Sequence, residues 1–326
     1  MQTLQIAIGL LVIVVTFLDF FHTTLSGNGF GFLSRWLNRT LNALILQNRN
    51  RFWFKYSGLI HLLMTASMWL CLLFFATFLI FTSGQEMVIN GITQIPADGP
   101  ERFYFTGYLL STLGIGDFIP GNTTAVFLSG ILAFSGFILI STGITYLLSV
   151  VTAVLKMKEL AFFIVSIGED IEEMYNFFKQ QDELSSLMSD ASQLRHQILS
   201  NASNYLSFPM VTYFLSRDRN STLIVQLGRL YEVLSVIQQD WGKDSMQHAK
   251  IGTILFSIEK YLDLGLRDAR SYPVNEEKIK TMRSFWLSKG YRLDISGKHD
   301  KRLSSSLRIS GWDWEDIYKL CPKDEQ

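Results

Sequence analysis

The sequence predicts an all-α membrane protein: a charge-poor, membrane-spanning N-terminal half followed by a helical cytoplasmic domain. Three observations carry this. Charge is unevenly spread, since residues 1–155 hold only Arg35, Arg39, Arg49, Arg51, Lys55 and Arg102 among the bases and Asp19, Glu86, Asp98, Glu101 and Asp117 among the acids. The rest of the 29 basic and 29 acidic residues lie beyond Leu155. The charge-poor half contains three apolar stretches, two of them clearly longer than the roughly 20 residues that cross a bilayer, and a glycine-punctuated segment lies between the second and third. The even charge balance argues against nucleic acid as a ligand. Cys71 and Cys321 supply neither a disulfide framework nor a CxxC spacing for metal or redox chemistry.

The first apolar stretch, Leu4–Leu18, predicts an N-terminal transmembrane helix over 1–24. It has no Lys or Arg before it and no small-x-small cleavage pattern after it, so an uncleaved helix is expected rather than a signal peptide. Asp19 and His22, three apart on one helical face, read either as a proton-sensing pair or as a helix-end carboxylate bonded to its neighbour. In the segment 25–55, Phe32, Leu33, Trp36, Leu37, Leu41, Leu44 and Ile45 recur at helical spacing, with Arg35 and Arg39 elsewhere on the wheel. The pattern predicts an amphipathic helix, lying along the cytoplasmic leaflet or packed against the soluble domain.

A pore module is expected over 56–155, with an outer helix over 56–81 and an inner helix over 124–155, both free of Asp, Glu, Lys and Arg. Five bases lie between the first and second spans, whereas Thr82–Asp117 carries one Arg and four acids. By the positive-inside rule, residues 25–55 and the C-terminal domain are cytoplasmic, and residues 82–117 and the N-terminus are outside. A multi-pass protein of the plasma (inner) membrane is the expectation.

The outer segment holds an apolar, aromatic run, Glu101–Leu110, too short to span, and a pore helix is expected over 102–111. Thr112, Leu113, Gly114, Ile115, Gly116 and Asp117 follow. Extended backbone of this kind has unsatisfied carbonyls and survives at membrane depth only where it lines a water- or ion-filled path. Gly114 and Gly116 permit backbone angles that let successive carbonyls face one side and replace the water shell of a monovalent cation, with the Thr112 hydroxyl as the innermost ring.

Thr112–Asp117, T-L-G-I-G-D, resembles the T-V-G-Y-G-D filter of the potassium channel family, and with the short helix and flanking spans the resemblance covers about residues 56–155. It implies a tetrameric pore-loop channel module, a homotetramer in the lipid bilayer with potassium as the permeant ion held at Thr112, Leu113, Gly114 and Ile115; the alternatives are a weakly selective monovalent cation channel and a non-conducting, membrane-anchored signalling or interaction protein with a vestigial pore loop. Leu113 replaces a valine whose side chain faces away from the ion path. Ile115 replaces a tyrosine, supplying its packing but not its hydroxyl. Tyr104, Tyr108 and Ser111 occupy the filter-support positions, the two tyrosines as candidate partners of Asp117 or as an aromatic belt. Gly136 matches the inner-helix gating hinge. Gly130 and Gly143 read as small-residue packing sites. Helical spacing then turns Phe137, Ile140, Ser141, Ile144 and Leu148 toward the cavity and inner mouth. No segment carries Arg at every third position, so no voltage sensor is expected.

Residues 156–326 predict a helical regulatory or assembly domain. Ile224, Leu227, Leu230, Tyr231, Leu234 and Ile237 form one stripe and Ile251, Ile254, Leu255, Ile258 and Leu262 another. Lys156–Leu199 reads as a long helix continuing the last span. Glu169, Asp170, Glu172 and Glu173 read as a solvated face, and His196, His248 and His299 are too scattered for a metal site. The segment carries no GxGxxG after a strand and no nucleophile–base constellation, so a non-enzyme is expected. Its ligand or protein partner is not specified by any motif.

Overall fold

A computed structural model describes residues 2–27, 29–47, 52–179, 181–216, 218–265, 273–293 and 297–318. The chain divides into two compact units, Met1–Leu41 with Ile60–Ser149 and Asn42–Leu59 with Val150–Gln326. The helices of the first half are α1 (Gln2–Leu25), α2 (Phe32–Gln47), α3 (Phe52–Phe81), α4 (Gly99–Leu110) and α5 (Thr123–Val165). α1, α3 from Tyr56, and α5 are long and apolar enough to cross a membrane. Along α1, Gly9, Ile13, Thr16 and Phe20 are buried at helical spacing, while Leu10, Leu11, Val14 and Leu18 are exposed. The buried stripe faces protein and the apolar remainder suits lipid. Phe20 meets Trp69 of α3 edge-on, ring centroids 5.0 Å apart.

Asp19 does not pair with His22, which is exposed. Its buried carboxylate accepts the backbone N–H groups of Leu33 (2.7 Å) and Ser34 (3.2 Å), the Ser34 hydroxyl (2.5 Å) and the Trp69 indole N–H (2.9 Å). One side chain thus satisfies orphan donors at the N-terminus of α2 and fixes three helices at one point. One turn beyond Ser34, Asn38 donates to Thr65, one turn before Trp69 (2.9 Å). The contacts step in opposite directions, so this stretch of α2 runs antiparallel along α3. It buries Ser34 and Asn38 and exposes Phe32 and Trp36. From Asn42 onward α2 belongs to the second unit, the alternative the amphipathic pattern also allowed.

The all-α membrane architecture holds, with almost no strand: among the described residues a short two-stranded antiparallel ribbon, β1 (Val88–Asn90) with β2 (Phe118–Pro120), closes the segment between α3 and α5. The second unit adds α6 (Ile171–Lys179), α7 (Gln181–Ser207), α8 (Leu223–Ile237), α9 (Met246–Gly265), α10 (Glu276–Ser288), α11 (His299–Ile309) and α12 (Trp314–Tyr318). α5 continues past Leu155, but the long helix expected to Leu199 is broken at residues 166–170. There Gly168 lies so close to α6 that a Cβ would come within 2.4 Å of the Met174 nitrogen. α8 is the core of the unit, and even its polar Gln226, Arg229 and Glu232 are buried. Glu232 and Asp300 grip the Arg283 guanidinium between them, at 2.7 and 2.9 Å. The acids after α5 have local partners: Asp170 caps the Glu172 and Glu173 N–H groups, and Glu172 pairs with Lys289 at 2.8 Å.

Candidate functional site

The site begins with the helix that aims it. α4 starts three residues earlier than the expected 102, because Asp98 and Glu101 form a reciprocal capping box and Pro100 occupies the first turn. Arg102, counted in the sequence only as a lone outer base, is buried among carbonyls: Nε donates to Ala97 (2.8 Å), Nη1 to Phe81 (3.0 Å) and Gly84 (2.8 Å), and Nη2 to Gln85 (2.9 Å). It caps the end of α3 and clamps it to the start of α4. Phe105 stacks edge-on against Phe81 at 4.9 Å on the same face.

α4 ends at Leu110 with Ser111 as C-cap, whose hydroxyl donates to the Tyr108 carbonyl at 3.2 Å. From there the backbone alternates in handedness. Thr112, Gly114 and Gly116 have φ of 59°, 58° and 92°, while Leu113 and Ile115 between them do not have positive φ. Such alternation turns successive peptide groups to one side of the chain. Positive φ at the β-branched Thr112 is a strained conformation, of order 1–3 kcal/mol, of the kind found where surrounding structure enforces it. The hydroxyl of Thr112 donates to the Ser111 carbonyl at 2.7 Å. Among the described residues no hydrogen bond ends on the carbonyls of Thr112, Leu113, Gly114 or Ile115. The segment is exposed throughout, Leu113 to 67%.

The β-ribbon holds the far end of this segment. Gly91, just past β1, donates its N–H to the Asp117 carbonyl at 2.8 Å, and a Cβ on Gly91 would lie 2.9 Å from the Gly116 oxygen. The expected partnership of Tyr104 and Tyr108 with Asp117 takes another form. The Tyr108 hydroxyl donates to the Phe118 carbonyl, one residue on, and Tyr104 packs edge-on against Tyr108 and Phe118 at 5.2 and 6.2 Å. The ribbon draws Phe118 inward, and its carbonyl reaches the phenol in place of the Asp117 carboxylate, which is exposed.

On α5, Gly136 lies against the end of α4, where a Cβ would stand 2.2 Å from the Leu110 oxygen. The hinge expectation omitted this contact: the glycine admits the close crossing of the two helices. Nothing lies within 4 Å of a Cβ at Gly130 or Gly143. Phe137, Ile140, Ile144 and Leu148 share one exposed face and Ser141 is half-exposed beside them. The Ser141 hydroxyl bonds back to the Phe137 carbonyl at 2.8 Å. Geometrically, then, a short helix, a run of same-side carbonyls and an apolar helix face lie in sequence along one unit.

The chain is similar to a protein described as uncharacterized membrane protein YdjJ of Bacillus subtilis (strain 168), 26% identical over 266 residues, covering 78% of this chain and 76% of the relative. No family model and no solved structure matches. With its three apolar helices, the chain is a membrane protein.

Proposed function

We propose that this chain is the subunit of a homotetrameric, potassium-selective channel whose cytoplasmic domain gates it. The observation that carries the reading is the alternation of positive φ at Thr112, Gly114 and Gly116, between the end of a short helix and an outer ribbon that holds Asp117. One such segment makes only one wall of a coordination cage, so the reading requires several copies about an axis. Four sets of carbonyls from Thr112 to Ile115 replace the hydration shell of K+ and let it pass passively. The C-terminal end of α4 aims its partial negative charge at the cavity below, and Phe137, Ile140 and Ser141 line that cavity. Rings of Ile144 and Leu148 close the inner mouth by dewetting. The N-terminus lies outside the plasma (inner) membrane and the second unit inside. A second reading, a weakly selective monovalent cation channel, is favoured by Ile115, which brings no hydroxyl to brace the filter.

Reconstitution into vesicles with opposed K+ and Na+ gradients tests this. Flux of K+ well above Na+ supports the reading, and equal flux supports the second. Vesicles that hold both gradients as tightly as protein-free ones overturn both readings.

A further inference from the structure

We infer, building on the channel reading above, that the second unit sets the open–closed equilibrium by holding both pore helices at once: α3 at Gly58, and the peptide just past α5 through Arg229. Both helices contribute residues to this unit, α3 up to Leu59 and α5 from Val150.

The first grip is on α3. The Ser57 hydroxyl donates to the Tyr213 carbonyl at 2.5 Å. Beside it the Phe214 ring lies on Gly58, so close that a Cβ there would come within 2.3 Å of it. Tyr213 and Phe214 sit at the end of the short turn Pro209–Tyr213, which links α7 to α8. A glycine in the foot of a membrane helix costs roughly 1 kcal/mol against alanine, and the seat for this ring is its return.

The second grip is on α5. Arg229 of α8 is 0% exposed, and its donors run to the carbonyls of Glu169 (2.7 Å), Ile317 (3.1 Å) and Asp316 (3.4 Å) and to the Gln226 amide oxygen (3.2 Å). A guanidinium bonded to carbonyls loses its hydration without the gain of a carboxylate partner, and an apolar side chain of similar volume would fill the core at lower cost. What Arg229 supplies that an apolar residue lacks is a fixed position for Glu169. Gly168, packed on the Met174 nitrogen, makes the break rigid, so that position is passed to the end of α5. Arg229 is therefore a positioning residue, and α12 is the other half of its anchor.

Opening a pore displaces inner helices relative to outer ones. A unit fastened to both biases that displacement by the difference in its own free energy between two arrangements. Arg229→Met and Gly58→Leu, each severing one grip, are expected to change single-channel open probability about tenfold or more, within the usual range of such couplings, and to leave the K+/Na+ flux ratio unchanged. Arg229→Lys, which keeps a donor, is expected to stay within about threefold of the original. A filter or folding defect would instead alter selectivity or abolish flux.

Because either severing variant carries a risk of misfolding, a third test adds a bond. In a background of Cys71→Ser and Cys321→Ser, the pair Gly58→Cys with Phe214→Cys replaces the ring by a disulfide across the same gap. Oxidation is expected to restore the open probability of the original where Arg229 is intact but not in Arg229→Met, and reduction to release it. Selective flux with open probability indifferent to the disulfide and to both severing variants overturns the two-point grip and leaves the channel reading standing. Absence of flux from the unaltered tetramer overturns both.

Discussion

At Gly114 the constraint is handedness rather than space. No atom lies within 4 Å of where a Cβ would stand, yet φ is +58°, and an L side chain in that region costs roughly 1–2 kcal/mol per chain. Gly114→Ala is expected to abolish K+ flux while the tetramer survives size exclusion in detergent; normal conduction removes the pore assignment. The glycine's role was legible because the residue type itself reports the dihedral. Asp19 was legible only as an anomaly, since two of its four donors are backbone N–H groups that no side chain advertises. His299 was legible only as one of three histidines too scattered for a metal site, and the structure gives it a different interest. Its ring stacks on Tyr231 with centroids 3.5 Å and planes 11° apart, and neither nitrogen has a hydrogen-bond partner among the described residues. Burial, and then the Arg283 charge, push its pKa from 6.5 down to about 3. The unfolded chain therefore takes up this proton first, so the contribution to stability is whole above pH 6.5 and is lost as pH falls toward 3. At pH 5 that loss is about 2 kcal/mol. His299→Phe, which keeps the stack, is expected to flatten the fall in domain Tm between about pH 7 and pH 5; an unchanged slope disproves the assignment.

Among elements, α4 and α5 make the decisive contact. Gly136→Val forces the Leu110 carbonyl away, and a reduction in flux of about tenfold or more is expected from the displaced end of α4. Gly130→Ala and Gly143→Ala meet nothing in the chain and are expected to conduct within about twofold of the original, since surplus helical Gly is at most mildly unfavourable. If Gly143→Ala is the damaging change and Gly136→Val is silent, bending at Gly143 matters and the packing notch does not. The start of α4 was readable: Asp98, Pro100 and Glu101 are a helix-opening signature, passed over because the apolar run begins later. The β-ribbon was not. Its strands are three residues each, too short for an alternation to register, and they pair across the whole of α4. The break after Val165 was hidden for a related reason, since Gly168 marks it only through what α6 does to it.

For the molecule as a whole, the change in charge density put a boundary near residue 155, and α5 enters the second unit at Val150. What it missed is that Asn42–Leu59 joins that unit too. Those residues are basic and aromatic in a way that suits a membrane surface equally, and only contacts such as Ser57 with Tyr213 distinguish the two. Orientation is tested by impermeant thiol labelling in a background without Cys71 and Cys321. Ile92→Cys, at an exposed tip beside the ribbon, is expected to react from outside the cell, and Met246→Cys, also exposed, only after permeabilisation; the reverse pattern inverts the topology. The burial of Arg102 also has an electrostatic consequence. Glu86, Asp98 and Asp117 are exposed and Glu101 is half-exposed, whereas the single base among them is withdrawn behind α3. In a tetramer of the proposed kind these would place sixteen carboxylates around the entrance, a surplus of negative charge that would enrich cations there in dilute solution. Conductance measured outside-in should then fall less steeply than bulk K+ concentration as salt is diluted below about 0.1 M, where the Debye length exceeds ~10 Å, and adding Mg2+ to screen the vestibule should remove the difference.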